Sequence, residues 1–262
     1  MRVAQLISRV SIRSMVLALT TIALLVPHHR AAAAENSAIK PVPRDGNWMK
    51  RHDGFVEIAK KGDVDVLFLG DSITDAWGGS GRGGGGGAKI FAKTFEPLKT
   101  ANFGISGDRT QHVLWRITNG ELDGIKPKVA MLMIGTNNSN GSDNTAEEIA
   151  EGVTHIVKTL RERQPQVKIL LLAVFPRSGQ GGLKVDKVAA GELRTKINDV
   201  NKIIAKLDDG KTVRYLDIGP KFLDADGSLS KEIMPDFLHL SEKGYQIWAD
   251  AVLPTLTELL GK

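Results

Sequence analysis

The 262-residue chain contains no cysteine. This absence excludes disulfides, thiolate metal sites, a cysteine nucleophile and lipidation through cysteine. The chain also has only 10 prolines, while 42% of its residues are hydrophobic and 25% are charged. That composition argues against a disordered tail, a fibre or a polytopic membrane protein, and it supplies enough apolar residues for a sizeable core. Any chemistry must therefore come from hydroxyl, carboxylate, amide and imidazole groups.

The net charge of +5 is concentrated at the N-terminus. The first 34 residues carry four arginines, Arg2, Arg9, Arg13 and Arg30, and no acidic residue. Without those four of the 35 basic residues, 31 remain against 30 acidic ones. The basic excess therefore belongs to the leader, and we expect no nucleic-acid partner.

Residues 1–34 have the three parts of a secretory signal. A basic stretch up to Arg13 is followed by an apolar run, Met15–Val26, and by small residues, Ala31–Ala34, before Glu35. The competing interpretation is a retained anchor, but the run is shorter than the roughly 20 residues that span a bilayer. We expect cleavage after Ala34, export to the periplasm or the extracellular space, and no stable membrane anchor afterwards.

The mature chain predicts one α/β domain. Residues 35–61 form a polar lead-in with a helix at Trp48–Lys60, and residues 62–262 form the domain. Short apolar runs that alternate with helical segments are typical of a parallel sheet with helices on both faces. The predicted strands are Val64–Leu69, Ala101–Ile105, Val129–Ile134, Ile169–Val174 and Val213–Leu216. The predicted helices are Thr110–Gly120, Ala146–Arg163, Val185–Leu207 and Ser241–Leu260.

Ligand sites in such sheets lie at the carboxyl ends of the strands. The first predicted strand leads into Gly70-Asp71-Ser72, the second is followed by Gly107, and the third by Asn137. A serine hydroxyl, a bare glycine N–H and an amide side chain could all face one crevice there. Each of these residues is also common in an ordinary helix cap or turn, so each alone is weak evidence.

His239 is the one histidine with a well-placed acid, because Asp236 precedes it by three residues. A carboxylate at that spacing can bond Nδ1–H and leave Nε2 free to accept a proton. His52 precedes the predicted sheet, and His112 and His155 lie in predicted helical segments, where a surface or core role fits better.

Together the residues have what acyl transfer needs: Ser72 as nucleophile, His239 as general base and Asp236 to orient it. The N–H groups of Ser72 and Gly107 and the amide of Asn137 would stabilise the oxyanion.

Four blocks in order resemble the GDSL or SGNH hydrolases, which are named for their Ser, Gly, Asn and His. The blocks are Gly70-Asp71-Ser72, Gly107, Gly135-Thr136-Asn137 and Asp236-Phe237-Leu238-His239. The resemblance implies a flavodoxin-like three-layer α/β/α fold with about five parallel strands. It also implies a Ser-Asp-His triad, a three-donor oxyanion hole, and neither a metal nor a cofactor.

Within this family the chain is most similar to the catalytic subunits of intracellular platelet-activating-factor acetylhydrolase, over most of Trp48–Leu260. That resemblance implies a short acyl pocket at Ile73, Thr136 and Leu238, hence an acetyl-sized acyl group, and it makes a homodimer plausible. Those subunits are cytosolic, whereas this chain has a leader, so their lipid substrate and protein partner are not assumed. The ester could be an acetylated glycan or a small phospholipid-type ester.

Other interpretations are less well supported. Gly78–Gly87 holds eight glycines in ten residues and predicts a mobile surface loop at the rim of the site. Its Gly79–Gly84 stretch fits a dinucleotide pattern, but a glycine run fits almost any glycine spacing. A phosphate loop and the G-x-S-x-G elbow are absent, and the scattered histidines argue against metal catalysis. A non-catalytic carbohydrate- or lipid-binding module stays the alternative to an esterase.

Overall fold

Five short strands form one parallel sheet, in the order β2-β1-β3-β4-β5. Their bounds are β1 Val66–Gly70, β2 Thr100–Gly104, β3 Val129–Met133, β4 Lys168–Leu172 and β5 Val213–Leu216. Every neighbouring pair is parallel. This is the flavodoxin-like order, so the predicted fold class is confirmed. The predicted strands lie within two residues of these bounds.

The computed structural model describes residues 35–79, 86–178 and 187–262. The predicted signal peptide therefore lies outside the described residues, as do residues 80–85 of the glycine run and the predicted start of a helix at Val185. Described residues from Asn36 to Lys262 belong to one compact unit.

Seven α-helices connect and flank the strands in the described part of the chain. They are α1 Asn47–Lys61, α2 Ser72–Asp75, α3 Ala88–Thr94, α4 Thr110–Thr118, α5 Ala146–Arg163, α6 Lys187–Ile204 and α7 Glu242–Leu260. The sequence predicts all of them except α2 and α3, which are too short to show a helical period. None of the helices in residues 35–79, 86–178 and 187–262 combines the length and apolar character needed to cross a bilayer.

The two faces of the sheet carry separate apolar cores. Because successive strand residues point to opposite faces, Leu67 and Leu69 of β1 pack with α1, α4, α5 and α6. Val66 and Phe68 pack on the other face, with α2, α3 and α7. All four side chains are buried. This alternation produces the three layers and leaves the carboxyl edge of the sheet for the loops.

The lead-in is tied to the helical layer by hydrogen bonds. The Thr110 hydroxyl donates to the Ala38 carbonyl at 2.7 Å, and the Val42 N–H donates to the Gln111 carbonyl at 3.3 Å. The Asn36 amide donates to the Glu148 carbonyl at 3.2 Å. The segment before the first strand is therefore held beside the N-termini of α4 and α5, on the edge where the predicted site residues lie.

Gly104, the last residue of β2, generates a stability prediction. A Cβ at this position would lie 2.7 Å from the Thr74 carbonyl carbon and would collide with the Asp75 amide nitrogen. Since both obstacles are backbone, we expect Gly104→Ala to lower the free energy of unfolding by about 1–3 kcal/mol or more. Urea unfolding followed by circular dichroism measures the change.

Gly54→Ala is the matched control, because Gly54 lies inside α1 with no atom within 4 Å of an added Cβ. Removing a helical glycine there should raise stability by about 0.5–1 kcal/mol. Equal effects of the two substitutions would contradict the close approach of β2 to α2.

Candidate active site

Ser72 is the first residue of α2, directly after β1. The helix begins there because the Asp71 carboxylate caps it, with Oδ1 accepting the Ile73 N–H at 3.0 Å. Gly70 makes the turn possible, since a Cβ on it would lie 2.5 Å from the Met133 carbonyl oxygen of the neighbouring strand. Ser72 itself is half-buried, and its N–H is one of the unpaired donors that every helix N-terminus carries.

The Ser72 hydroxyl meets an imidazole that lies 167 residues further along the chain. Ser72 Oγ is 3.0 Å from His239 Nε2, and His239 Nδ1 is 2.7 Å from Asp236 Oδ2. Partial burial opposes ionisation of Asp236, but hydrogen bonds from the ring and backbone N–H groups of His239 outweigh it. They keep the pKa of Asp236 below its ordinary value. Asp236 is therefore ionised and can stabilise an imidazolium at His239.

The turn that carries His239 is built by the same carboxylate. Asp236 Oδ1 accepts the backbone N–H groups of Leu238, at 3.1 Å, and His239, at 2.7 Å. Phe237 adopts a φ of 58°, a left-handed backbone conformation that residues other than glycine rarely adopt. Its carbonyl accepts the Ser178 N–H at 3.0 Å, which anchors the turn to the segment after β4. The imidazole is thus fixed through both its ring and its backbone.

The predicted oxyanion donors Gly107 and Asn137 are linked through one residue. Asn137 Nδ2 donates to the backbone carbonyl of Asp108 at 2.8 Å, which leaves the second amide hydrogen to point elsewhere. Gly107 has a φ of 82°, a left-handed conformation that glycine adopts without steric strain. The Asp108 N–H closes that turn on the Ile105 carbonyl at 3.1 Å.

The loop after β2 lies against α2, which places Gly107 on the same side as Ser72. Asn102 Nδ2 donates to the Thr74 carbonyl at 2.9 Å, and the Ser106 N–H donates to Asp75 Oδ2 at 3.1 Å. The Ile105 N–H bonds the Gly70 carbonyl at 3.3 Å. The carboxyl ends of β1, β2 and β3 therefore meet where the strand order reverses, between β1 and β3.

The three predicted acyl-pocket residues are all buried. Ile73 and Leu238 belong to one apolar cluster, on the α7 side of the sheet. The carbonyl of Thr136 accepts Arg177 Nη1 at 3.0 Å and the Ser139 hydroxyl at 2.7 Å. The structure thus places Ile73 and Leu238 in the same apolar core.

The other described histidines lie in helices. His52 is buried and its Nδ1 is 2.9 Å from Glu121 Oε1. His112 Nδ1 accepts the Arg109 N–H at 3.0 Å, and burial, assisted by three nearby arginines, lowers its pKa to about 4. His155 is half-buried, and its Nε2 lies 3.9 Å from Glu151 Oε1.

Sequence reasoning missed the buried charges around the site. Asp71 is fully buried, and burial raises its pKa to about 7, although the Ile73 N–H and the charge of Arg177 oppose the shift. Asp108 is also fully buried and accepts the indole N–H of Trp48 at 2.7 Å. In the sequence both residues look like ordinary cap and turn residues. The only available signal was their position beside the serine and glycine blocks.

The Ser72 hydroxyl lies within hydrogen-bond distance of an imidazole that a carboxylate orients, and the predicted N–H donors follow strands of the same parallel sheet. Such an arrangement can attack a carbonyl carbon and stabilise the resulting oxyanion. The chemistry available to Ser72 and His239 is therefore acyl transfer.

The comparisons with known proteins agree with this chemistry. A sequence profile of the GDSL-like lipase/acylhydrolase family matches residues 68–247. Human platelet-activating factor acetylhydrolase IB subunit alpha1 is 38% identical over 234 residues, which cover 87% of this chain and 93% of the human protein.

Two solved structures are also similar. A GDSL-like lipase from Bacteroides thetaiotaomicron superposes with a TM-score of 0.63 at 17% identity, covering 81% of this chain and 98% of that one. An acetyl xylan esterase superposes with a TM-score of 0.55 at 22% identity, covering 73% and 98%. At these identities the superpositions show a shared fold alone.

The buried Asp71 predicts a particular dependence of stability on pH. Its folded-state pKa of about 7 lies above the roughly 3.9 of an unfolded aspartate, so the native state holds a proton that the unfolded state releases. The stabilisation of the native state by this proton is fully present below about pH 4. It is lost as the pH rises to about 7, at up to about 1.4 kcal/mol per pH unit. Asp71→Asn keeps an acceptor for the Ile73 N–H and does not titrate.

We therefore expect the unfolding free energy of Asp71→Asn minus that of wild type to increase by about 1 kcal/mol per pH unit between pH 5 and pH 7. Urea unfolding at pH 5, 6 and 7 measures it. Parallel curves for the two proteins would show that Asp71 is already ionised at pH 5.

Proposed function

Because this chain belongs to the GDSL-like lipase/acylhydrolase family and is a carboxylic ester hydrolase, we propose that it is exported and removes a short acyl group, acetyl by preference, from an O-acyl ester. The single observation that carries the acyl-transfer step of this proposal is the continuous hydrogen-bonded path from Ser72 Oγ through His239 to Asp236, at 3.0 and 2.7 Å. Ser72, His239 and Asp236 are the proposed catalytic residues.

In the first half of the reaction, Ser72 Oγ attacks the ester carbonyl while its proton passes to His239 Nε2. Asp236 stabilises the imidazolium through Nδ1–H. The N–H groups of Ser72 and Gly107 and the Asn137 amide stabilise the oxyanion, each donor contributing roughly 3–4 kcal/mol in other hydrolases. Collapse of this intermediate breaks the bond to the alcohol oxygen, which takes the proton from His239 and leaves as the free alcohol.

In the second half, a water molecule attacks the acyl-serine and gives a proton to His239. The tetrahedral intermediate collapses to the free acid, and the proton returns to Ser72 Oγ. Every proton that leaves a nucleophile is returned to a leaving oxygen, so the cycle needs neither a metal nor a cofactor.

The preference for acetyl rests on the residues that follow or precede the catalytic ones. Ile73 and Leu238 are 1% and 8% exposed and belong to one apolar cluster, and we expect these branched side chains, next in the chain to Ser72 and His239, to limit the depth of the acyl pocket. Thr136, which precedes Asn137, is 1% exposed and is the third residue of this proposed pocket.

An acetylated glycan is the proposed substrate class, because an exported enzyme would meet such esters outside the cytosol. The acetyl xylan esterase described above is a protein of this fold whose name states that chemistry.

A small phospholipid-type acetyl ester is the second candidate. It is favoured by the 38% identity to a subunit of an enzyme named for hydrolysing platelet-activating factor. A homodimer also stays a prediction from the resemblance.

The activity is tested by acetate release from an activated acetyl ester, acetylated xylan and other acetylated glycans, and a short-chain acetyl phospholipid. We expect acetyl esters to be cleaved faster than butyryl and octanoyl esters of the same alcohol. Ser72→Ala should lower kcat by at least about 1,000-fold because the nucleophile is removed.

Ser228→Ala is the control, because this exposed serine lies in a surface turn. Equal hydrolysis by wild type and Ser72→Ala would reject the mechanism and favour a binding module. Faster cleavage of octanoyl esters would reject the short pocket.

Export is tested separately with the full chain and a version that starts at Glu35. The full chain should be recovered outside the cytoplasm with Glu35 as its new N-terminus, as read by mass spectrometry, because residues 1–34 have the pattern of a cleaved signal. The shortened chain should stay inside. Recovery of uncleaved full-length chain in the membrane fraction would indicate an anchor instead.

A further inference from the structure

The carboxylate of Asp108 is completely buried and accepts three hydrogen bonds from three different segments. Oδ1 accepts Arg44 Nη1 at 3.1 Å and Trp48 Nε1 at 2.7 Å, and Oδ2 accepts Arg116 Nε at 2.9 Å. Arg44 precedes α1 in the lead-in, Trp48 lies in α1 and Arg116 lies in α4. Side chains from outside the sheet therefore converge on a residue next to Gly107.

The main chain of Asp108 contacts both oxyanion donors that come from the loops. Its backbone follows Gly107 directly, and its carbonyl accepts Asn137 Nδ2 at 2.8 Å. The Gly107 N–H belongs to the Ser106–Gly107 peptide group, and the carbonyl of that group accepts Arg44 Nη1 at 2.9 Å. Because Arg44 Nη1 also bonds the Asp108 carboxylate at 3.1 Å, this cluster restrains both donors: Arg44 holds the peptide that carries the Gly107 N–H, and the Asp108 carbonyl holds the Asn137 amide.

Arg44 holds the same turn from outside. Its Nη1 also donates to the Ser106 carbonyl at 2.9 Å, and both of its Nη atoms would lie 3.2 Å from a Cβ at Gly107. The guanidinium therefore covers the outer face of Gly107 and bridges the residues on either side of it. Its side chain is 36% exposed, so it can be substituted without opening the core.

The charges of this cluster cancel. Arg116 Nη1 also pairs with Glu121 Oε2 at 2.5 Å, so two carboxylates, of Asp108 and Glu121, face two guanidinium groups, of Arg44 and Arg116. An unneutralised carboxylate one residue from Gly107 would repel the negative charge that develops on the substrate oxygen. Buried ion pairs cost desolvation energy and are weak evidence of a purely stabilising role.

We propose that Asp108 is a positioning residue of the oxyanion hole, held by Arg44 and Trp48 so that the Gly107 N–H and the Asn137 amide are aimed at one point. The inference rests on the proposed acyl-transfer function. It adds that the lead-in before the first strand is part of the catalytic apparatus, although it contributes no group that touches the substrate.

The test uses Arg44→Ala, Arg44→Lys and Trp48→Phe, which leave the fully buried Arg116 and Glu121 unchanged. Trp48→Phe removes the indole N–H while keeping an aromatic ring, and Arg44→Lys keeps the charge but cannot bridge Ser106 and Asp108 as the guanidinium does. Arg163→Ala is the matched control, because Arg163 is 37% exposed and ion-paired to Asp123 at 3.1 Å, in a different part of the surface.

Reactive enzyme is first counted by covalent titration of Ser72 with a phosphonate, so that misfolded protein does not lower kcat. Per titrated site, we expect each Arg44 variant and Trp48→Phe to lower kcat about 10- to 100-fold with little change in KM. A displacement of about 1 Å can cost 100-fold, and complete loss of one donor costs about 100- to 1,000-fold. Arg163→Ala should match wild type.

A second readout isolates the oxyanion donors. A methyl trifluoromethyl ketone adds to Ser72 and forms an oxyanion, and its inhibition constant should rise in the variants by the same factor as kcat falls. In an Asn137→Ala background the Arg44→Ala effect should shrink, because one of the donors it aims is already absent.

Three results would overturn the proposal: unchanged kcat per titrated site, full rescue by Arg44→Lys, or an Arg44→Ala effect that is additive with Asn137→Ala. If wild type itself shows no hydrolysis that depends on Ser72, the proposed function fails and this inference fails with it. If wild type is active and the variants match it, only the positioning role is rejected.

Discussion

The hydrogen bond between Ser72 and His239 is the constraint on which the rest of the structure depends. Its partners come from the end of β1 and from the turn before α7, so it exists only when the first and last parts of the domain are docked. A second contact enforces that docking, because the Tyr245 hydroxyl of α7 donates to the Ile73 carbonyl of α2 at 2.7 Å. Trp77 packs against the Tyr245 ring with centroids 4.5 Å apart. One packed interface therefore carries Ser72 and His239, the proposed nucleophile and its proposed base.

Around that bond the molecule buries four ionisable side chains. Asp71, Asp108, Arg116 and Arg177 are all at most 1% exposed. Desolvation of such groups is expensive unless each is paired and hydrogen-bonded. Asp108 is paired with Arg116 of α4 and with Arg44 of the lead-in, and we propose that these pairs restrain the direction of the Gly107 N–H and the Asn137 amide. A site that must stabilise a transient oxyanion gains more from fixed donors than from additional apolar contact.

Most helices and strands could be predicted from the local pattern of apolar and polar residues. The strand Val129–Met133 is fully buried and lies in an apolar run between Lys128 and Gly135, and α5 begins at a Thr145–Glu148 capping box, so both were predictable within a residue or two. α2 and α3 were not, because four and seven residues are too few for a 3.6-residue period to show. Strand ends shifted by up to two residues, since hydrogen bonding to a neighbouring strand, which sequence does not display, decides where pairing stops.

By itself the sequence determined which groups were available and in what order: a serine, a glycine and an asparagine after successive strands, and an aspartate three residues ahead of a histidine. Those features are visible in short stretches of the sequence, and resemblance to a known family assigned roles to them. Only the tertiary structure decided that Asp108 is a buried anchor rather than a turn residue. Its partners at positions 44, 48 and 116 lie up to 64 residues away along the chain, and packing of α1 and α4 against the sheet is what brings them to it.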